Sequence, residues 1–107
     1  MKLIICEKPS VGMAIASALG IETKKDGYME SEDFLVSWCI GHLAELSKPS
    51  CYGSEYEKWS LEALPILPKT WQLTISKDKE KQFSVLKALL FRKDVTEVIN
   101  SCDTGRE

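Results

Sequence analysis

The chain has 107 residues, 44% of them hydrophobic and 28% charged, which fits one globular domain and excludes a disordered or fibrous chain and a second full domain. Lys and Arg number 14 against 16 Asp and Glu, a formal charge of -2. Bulk electrostatics alone will not hold nucleic acid, so any such role needs a local site or other domains. Cys6, Cys39, Cys51 and Cys102 show no C-x-x-C spacing and read as reduced, structural thiols.

Leu3-Ile4-Ile5-Cys6 is a short apolar run that predicts a strand buried on both faces. It turns charged at Glu7-Lys8, too short for a signal peptide or membrane span, and so points to a cytoplasmic protein with no membrane partner. From Pro9-Ser10 the apolar positions Val11, Ala14, Ile15, Ala18 and Leu19 follow the helical period, with Ser10 as N-cap, Gly20 as stop and Gly12 as a weak point. The runs Gly27–Glu30 and Phe34–Ile40 flank Ser31-Glu32-Asp33 and predict an antiparallel hairpin ending at Gly41-His42.

Between Ala44 and Thr70 periodicity is lost and Pro49, Pro65, Pro68 and Gly53 break long elements, which predicts an irregular excursion with one helical turn around Leu61–Ala63. Trp71–Ile75 alternates as a half-buried strand does. Asp78 is placed to cap a second helix carrying the stripe Phe83, Leu86, Leu89 and Leu90, with Arg92 and Lys93 near its negative end. A strand over Val95–Asn100 then predicts a parallel crossover from the preceding strand and helix. The whole reads as a single α/β domain, a mixed sheet flanked by helices. It stops at Arg106-Glu107, just past a predicted strand, as a cut inside a longer protein would.

Loops and helix N-termini converge at the carboxyl ends of parallel strands, so ligands bind there. Glu7 follows the first predicted strand and Asp103 the last. If those strands are neighbours, the two carboxylates offer hard oxygen ligands that suit Mg²⁺, which keeps several waters and completes its shell with phosphate oxygens. Lys8 adds a point charge, and a helix capped by Ser10 presents free N–H groups to an anion. The bland alternative is a solvated strand end at Glu7-Lys8 and an ordinary turn at 103–107.

The segments Ile5-Cys6-Glu7-Lys8-Pro9-Ser10, Trp38-Cys39-Ile40-Gly41-His42-Leu43, Lys58-Trp59 with Leu64-Pro65-Ile66, and Asp103-Thr104-Gly105-Arg106-Glu107 together resemble the Toprim domain of type IA DNA topoisomerases, in their topoisomerase III branch. The resemblance runs from Met1 to Glu107 and implies a Toprim-like, Rossmann-like fold, residues 1–107 forming a Toprim domain cut short at its C-terminal end, with the remainder of the enzyme absent. The acidic signature resembled is Glu on the first strand and Asp-x-Asp-Arg-Glu after a later one. Gly105 replaces its second Asp, which points to a single Mg²⁺ on Glu7 and Asp103, with Glu107 as a third or outer ligand.

The reaction this implies is ATP-independent: a tyrosine cleaves single-stranded DNA, a 5′-phosphotyrosine forms, another strand passes, and the break is resealed. Lys8 is then the candidate for stabilising charge on the scissile phosphate, and Glu7 for returning a proton to the departing 3′-oxygen or for holding the metal. Ser10, His42 and Arg106 are candidate phosphate contacts, His42 having the alternative of capping a turn. None of Tyr28, Tyr52 and Tyr56 matches the nucleophile's motif, so other domains of the same chain are expected partners. Tyr52, Tyr56 and Trp59, interleaved with Lys48, Lys58 and Lys69, either stack single-stranded DNA or cover the core. Alternative functions are a primase-like or nuclease-like Toprim enzyme and a non-enzymatic, receiver-like Mg²⁺-binding module.

Overall fold

A computed structural model describes residues 1–105 except 59 and 63, with residue 55 described by its backbone only. Strand β1 (Lys2–Cys6) lies at the centre of the parallel part of a five-stranded mixed sheet. β4 (Phe34–Trp38) pairs with it on one side and β7 (Glu97–Ser101) on the other, both parallel. Antiparallel strands β3 (Tyr28–Glu30) and β2 (Thr23–Lys25) extend the sheet beyond β4. The alternation of β1 and β4 supplies two cores. Ile4, Cys6, Val36 and Trp38 pack under helix α1 (Pro9–Ala18), while Leu3 and Leu35 pack under helix α2 (Glu80–Leu90) through Leu89 and Val85. A strand covered on both faces needs apolar residues at successive positions, which is why β1 reads as a continuous run.

Helix α1 begins two residues earlier than expected. Pro9 occupies its first turn, and the residue before a proline is held extended, so Lys8 (φ -128°, ψ 148°) is the N-cap and Ser10 lies inside the helix without capping it. At the other end Gly20, at φ 70°, lets Ile21 N–H reach Ala16 O at 2.8 Å and Gly20 N–H reach Ser17 O at 3.0 Å, the paired bonds of a Schellman cap. Gly12 is a requirement of the packing, because a Cβ there would lie 2.6 Å from the Trp38 ring.

The expected hairpin is β3 and β4; strand β2, joined to β3 through Asp26-Gly27, was not foreseen. Asp78 does not cap α2: it lies in a 3-10 turn (Lys77–Lys79), and Lys79 is the N-cap. The buried stripe of α2 is Gln82, Leu86 and Leu89, with Phe83 and Leu90 exposed. Arg92 is held by Asp94 and Glu30, at 2.7 and 3.1 Å, so it joins the end of α2 to β3 rather than merely facing the helix terminus. The parallel crossover into β7 starts from β4, because β6 (Leu73–Ile75) pairs only with β5 (Ala44–Leu46), as a separate antiparallel ribbon.

Between those two strands the chain forms an arm with 3-10 turns at Pro49–Tyr52 and Ser54–Tyr56; the turn expected around Leu61–Ala63 includes a residue outside the described ones. Tyr52 packs edge-on against Trp71, with ring centroids 6.2 Å apart, and its hydroxyl accepts the Gln72 N–H at 2.9 Å. Tyr28 packs against the α2-side core. The radius of gyration is 17.9 Å and the longest dimension 57 Å, against about 13 Å of gyration radius for a compact chain of this length. No helix among the described residues is long and apolar enough to cross a membrane.

Candidate metal centre

The register of the three parallel strands sets the geometry of the site. Trp38, Cys6 and Ser101 stand level across β4, β1 and β7, so Cys39, Glu7 and Cys102 emerge together at one rim, with Asp103 one residue further. Cys39 N–H extends the ladder onto Cys6 O at 2.8 Å. The half-buried Glu7 turns its carboxylate toward β7, where Oε2 accepts the backbone N–H of Asp103 at 3.0 Å. Glu7 and Asp103 thus share an open cleft of about 300 Å³, lined also by Cys39, Cys102, Gly105 and the segment Gly41–Ala44.

Segment 41–44 is one wall of the cleft and is tied down at several points. Gly41 (φ 66°) donates to Glu7 O at 3.4 Å, Ser76 N–H donates to Leu43 O at 3.2 Å, and Lys79 Nζ donates to His42 O at 2.7 Å. His42 therefore lines the cleft, with its carbonyl engaged by a lysine. Lys8 and Ser10 are exposed at the start of α1, whose first turn has no side-chain cap. Arg106 and Glu107 lie outside the described residues.

Burial pushes the Cys39 and Cys102 thiols above their ordinary range, and the neighbouring Cys102 and Glu7 in the first case, Glu7 and Asp103 in the second, push them further. Cys6 is raised in the same way, by burial first and then by the other two thiols. At neutral pH these sulfurs stay protonated, and a protonated thiol is a poor ligand. What the cleft offers a cation is hard carboxylate oxygen from Glu7 and Asp103. Among the described residues no three metal-ligating side chains converge on one point. Two carboxylates in an open cleft nevertheless fit Mg²⁺, which is commonly held by one or two carboxylates while waters and phosphate oxygens fill its shell.

Sequence reasoning missed Lys79 and the anchoring of the wall. Its partner is a backbone carbonyl 37 positions away, which carries no residue signature.

Residues 2–107 match the model of the Toprim domain family. The chain is 46% identical over 105 residues to "DNA topoisomerase 3" of Bacillus thuringiensis (strain Al Hakam) and of Bacillus anthracis, and 42% identical over 105 residues to that of Bacillus subtilis (strain 168). In each case the alignment covers 98% of this chain and 14% of the relative. The mixed sheet, its central parallel strands and the helices on both faces accord with that match, and the chain belongs to the Toprim domain family.

Proposed function

We propose that this chain is the Mg²⁺-binding catalytic domain of a type IA, topoisomerase 3-like enzyme that cleaves, passes and rejoins single DNA strands without ATP. The observation that carries the reading is the bond from the Asp103 amide to the Glu7 carboxylate, which holds the two acidic strand ends at one cleft. The names of the relatives supply the reaction class.

Glu7 and Asp103 would hold the ion, with Glu107 as a further ligand. Bound Mg²⁺ supplies positive charge to a phosphodiester and orients it. Lys8, exposed at the start of α1, would supply a second positive charge to the scissile phosphate as it gains negative charge during attack. In this reading Glu7 would also return a proton to the leaving 3′-oxygen. Ser10, His42 and Arg106 complete the proposed phosphate contacts. Tyr28 packs against the core and the Tyr52 hydroxyl is bonded within the arm, and none of Tyr28, Tyr52 and Tyr56 matches the nucleophile's motif; in this reading the nucleophilic tyrosine comes from another part of the enzyme, and residues 1–107 alone bind the ion without cutting DNA.

The test is a Mg²⁺ titration of the ¹⁵N-labelled chain. The amides of Glu7 and Asp103 should shift together along one binding curve. A response at only one of them, or at neither, rejects the shared site.

A further inference from the structure

We infer that Lys79 is the positioning residue of this cleft: its ammonium holds the wall formed by Gly41–Ala44 in place beside Glu7 and Asp103. The inference rests on the Mg²⁺ reading and extends it to a residue on a different element. The wall has no regular secondary structure before Ala44, and Gly41 turns it through a left-handed conformation. Such a segment keeps its position only through the bonds that tie it to its surroundings.

Those bonds come from two directions. From β1, Glu7 O accepts the Gly41 N–H at 3.4 Å, a long bond. From the segment leading into α2 come two shorter ones, Ser76 N–H to Leu43 O at 3.2 Å and Lys79 Nζ to His42 O at 2.7 Å. The second is charge-assisted and the shortest of the three, at a solvent-exposed position. A Cβ placed on Gly41 would lie 3.8 Å from the same ammonium, so Lys79 lies against both residues of the turn. One helical turn later Gln82 holds the end of β4 through Trp38 O at 2.7 Å. Residues 76–82 thus act as a splint along the backbone of 38–43, and Lys79 is the part of it that reaches the cleft wall.

The consequence is a Mg²⁺ affinity that depends on a residue outside the ligand set: Lys79 bonds no ligand itself, but through His42 O it fixes the segment whose Gly41 N–H bonds the Glu7 carbonyl. The experiment compares the native chain with Lys79→Met and Lys79→Arg, following amide shifts, Mg²⁺ titration and thermal melting. Lys79→Met should move the Gly41, His42 and Leu43 amides and weaken Mg²⁺ binding roughly ten-fold, with the melting temperature nearly unchanged; Lys79→Arg, which keeps a charged donor, should recover most of the affinity. Native-like Mg²⁺ binding in Lys79→Met, a loss matched by a drop in melting temperature, or no recovery in Lys79→Arg overturns the inference while leaving the shared acid site standing. No Mg²⁺ response in the native chain removes both.

Discussion

The Glu7 carboxylate accepts the backbone N–H of Asp103 at 3.0 Å although 96 positions separate them in the chain. The bond links the ends of two neighbouring strands that share one register, so it needs no rearrangement to form. Glu7→Gln keeps an acceptor for that N–H and removes the charge. It should leave the melting temperature within a few degrees of native, weaken Mg²⁺ binding by at least ten-fold as loss of a ligand commonly does, and abolish relaxation of supercoiled DNA in the intact enzyme. Relaxation at a near-native rate would contradict the role given to Glu7.

Gly105 lines the same cleft, and a Cβ built on it meets nothing within 4 Å. Its backbone is not in the left-handed region either. Gly105→Asp should therefore fold normally and add a third carboxylate to the site, tightening Mg²⁺ several-fold, about 1 kcal/mol. Calorimetric titration of the two proteins reads the difference directly; equal or weaker binding would show that position 105 does not face the ion.

Gly12 gives a stability test of the α1 interface. The added methyl of Gly12→Ala would lie 2.6 Å from Trp38 Cε3, and Trp38 is 6% exposed in the core. Overpacking should cost about 1–3 kcal/mol, more than the helix-propensity gain of Ala over Gly, about 1 kcal/mol. A net fall in melting temperature on the order of 5 °C is expected, and a rise would mean that the ring moves aside freely.

Gln82 is 7% exposed, and its Nε2 donates to Trp38 O, Gly27 O and Ser37 Oγ at 2.7, 3.1 and 3.3 Å. Gln82→Leu takes the side-chain donor from the Trp38 carbonyl, while Gly27 O keeps the Ser37 hydroxyl at 2.9 Å, for a cost of about 1–3 kcal/mol. Urea unfolding should show the lower midpoint with an unchanged slope.

The raised thiols set a pH dependence with a definite sign. Cys6, Cys39 and Cys102 bind their protons more tightly in the folded chain than at the ordinary value of 9.0. Folded protein therefore holds more protons than unfolded protein above about pH 8.5, the unfolded thiol value. The resulting stabilisation is complete below that pH and is lost as pH rises through the folded values. Alkylation of the half-buried Cys102 should be slow at neutral pH, and Glu7→Gln should lower the pH at which it accelerates by removing a negative neighbour; an unchanged or higher pH would place Glu7 away from that thiol.

The central architecture was legible because burial on two faces demands apolar runs, and Leu3–Cys6 and Phe34–Trp38 supply them. The acid pair was legible from the same fact, since residues just past parallel strands share a rim. Strand β2 was not, despite the Asp26-Gly27 turn: Thr23, Lys24 and Lys25 are all exposed, so the strand has no apolar alternation to reveal it. Ser10 misled as a cap because Pro9 opens the helix and moves the cap two residues back, to Lys8. The expected α2 stripe failed at Phe83 and Leu90 because a polar residue, Gln82, takes the buried place with three bonds to the sheet.

The arm leaves and rejoins the body through the β5–β6 ribbon, closed at one end by Ser76 N–H on Leu43 O at 3.2 Å and at the other by Ser47 N–H on Gln72 O at 2.9 Å. A detour closed at its base behaves as an appendage: lengthening or trimming it beyond the Ser47–Gln72 bond changes the outline of the molecule without shifting the strands beneath. Sequence drift of this kind can accumulate there while the two acids, each fixed by the register of β1 and β7, keep their spacing.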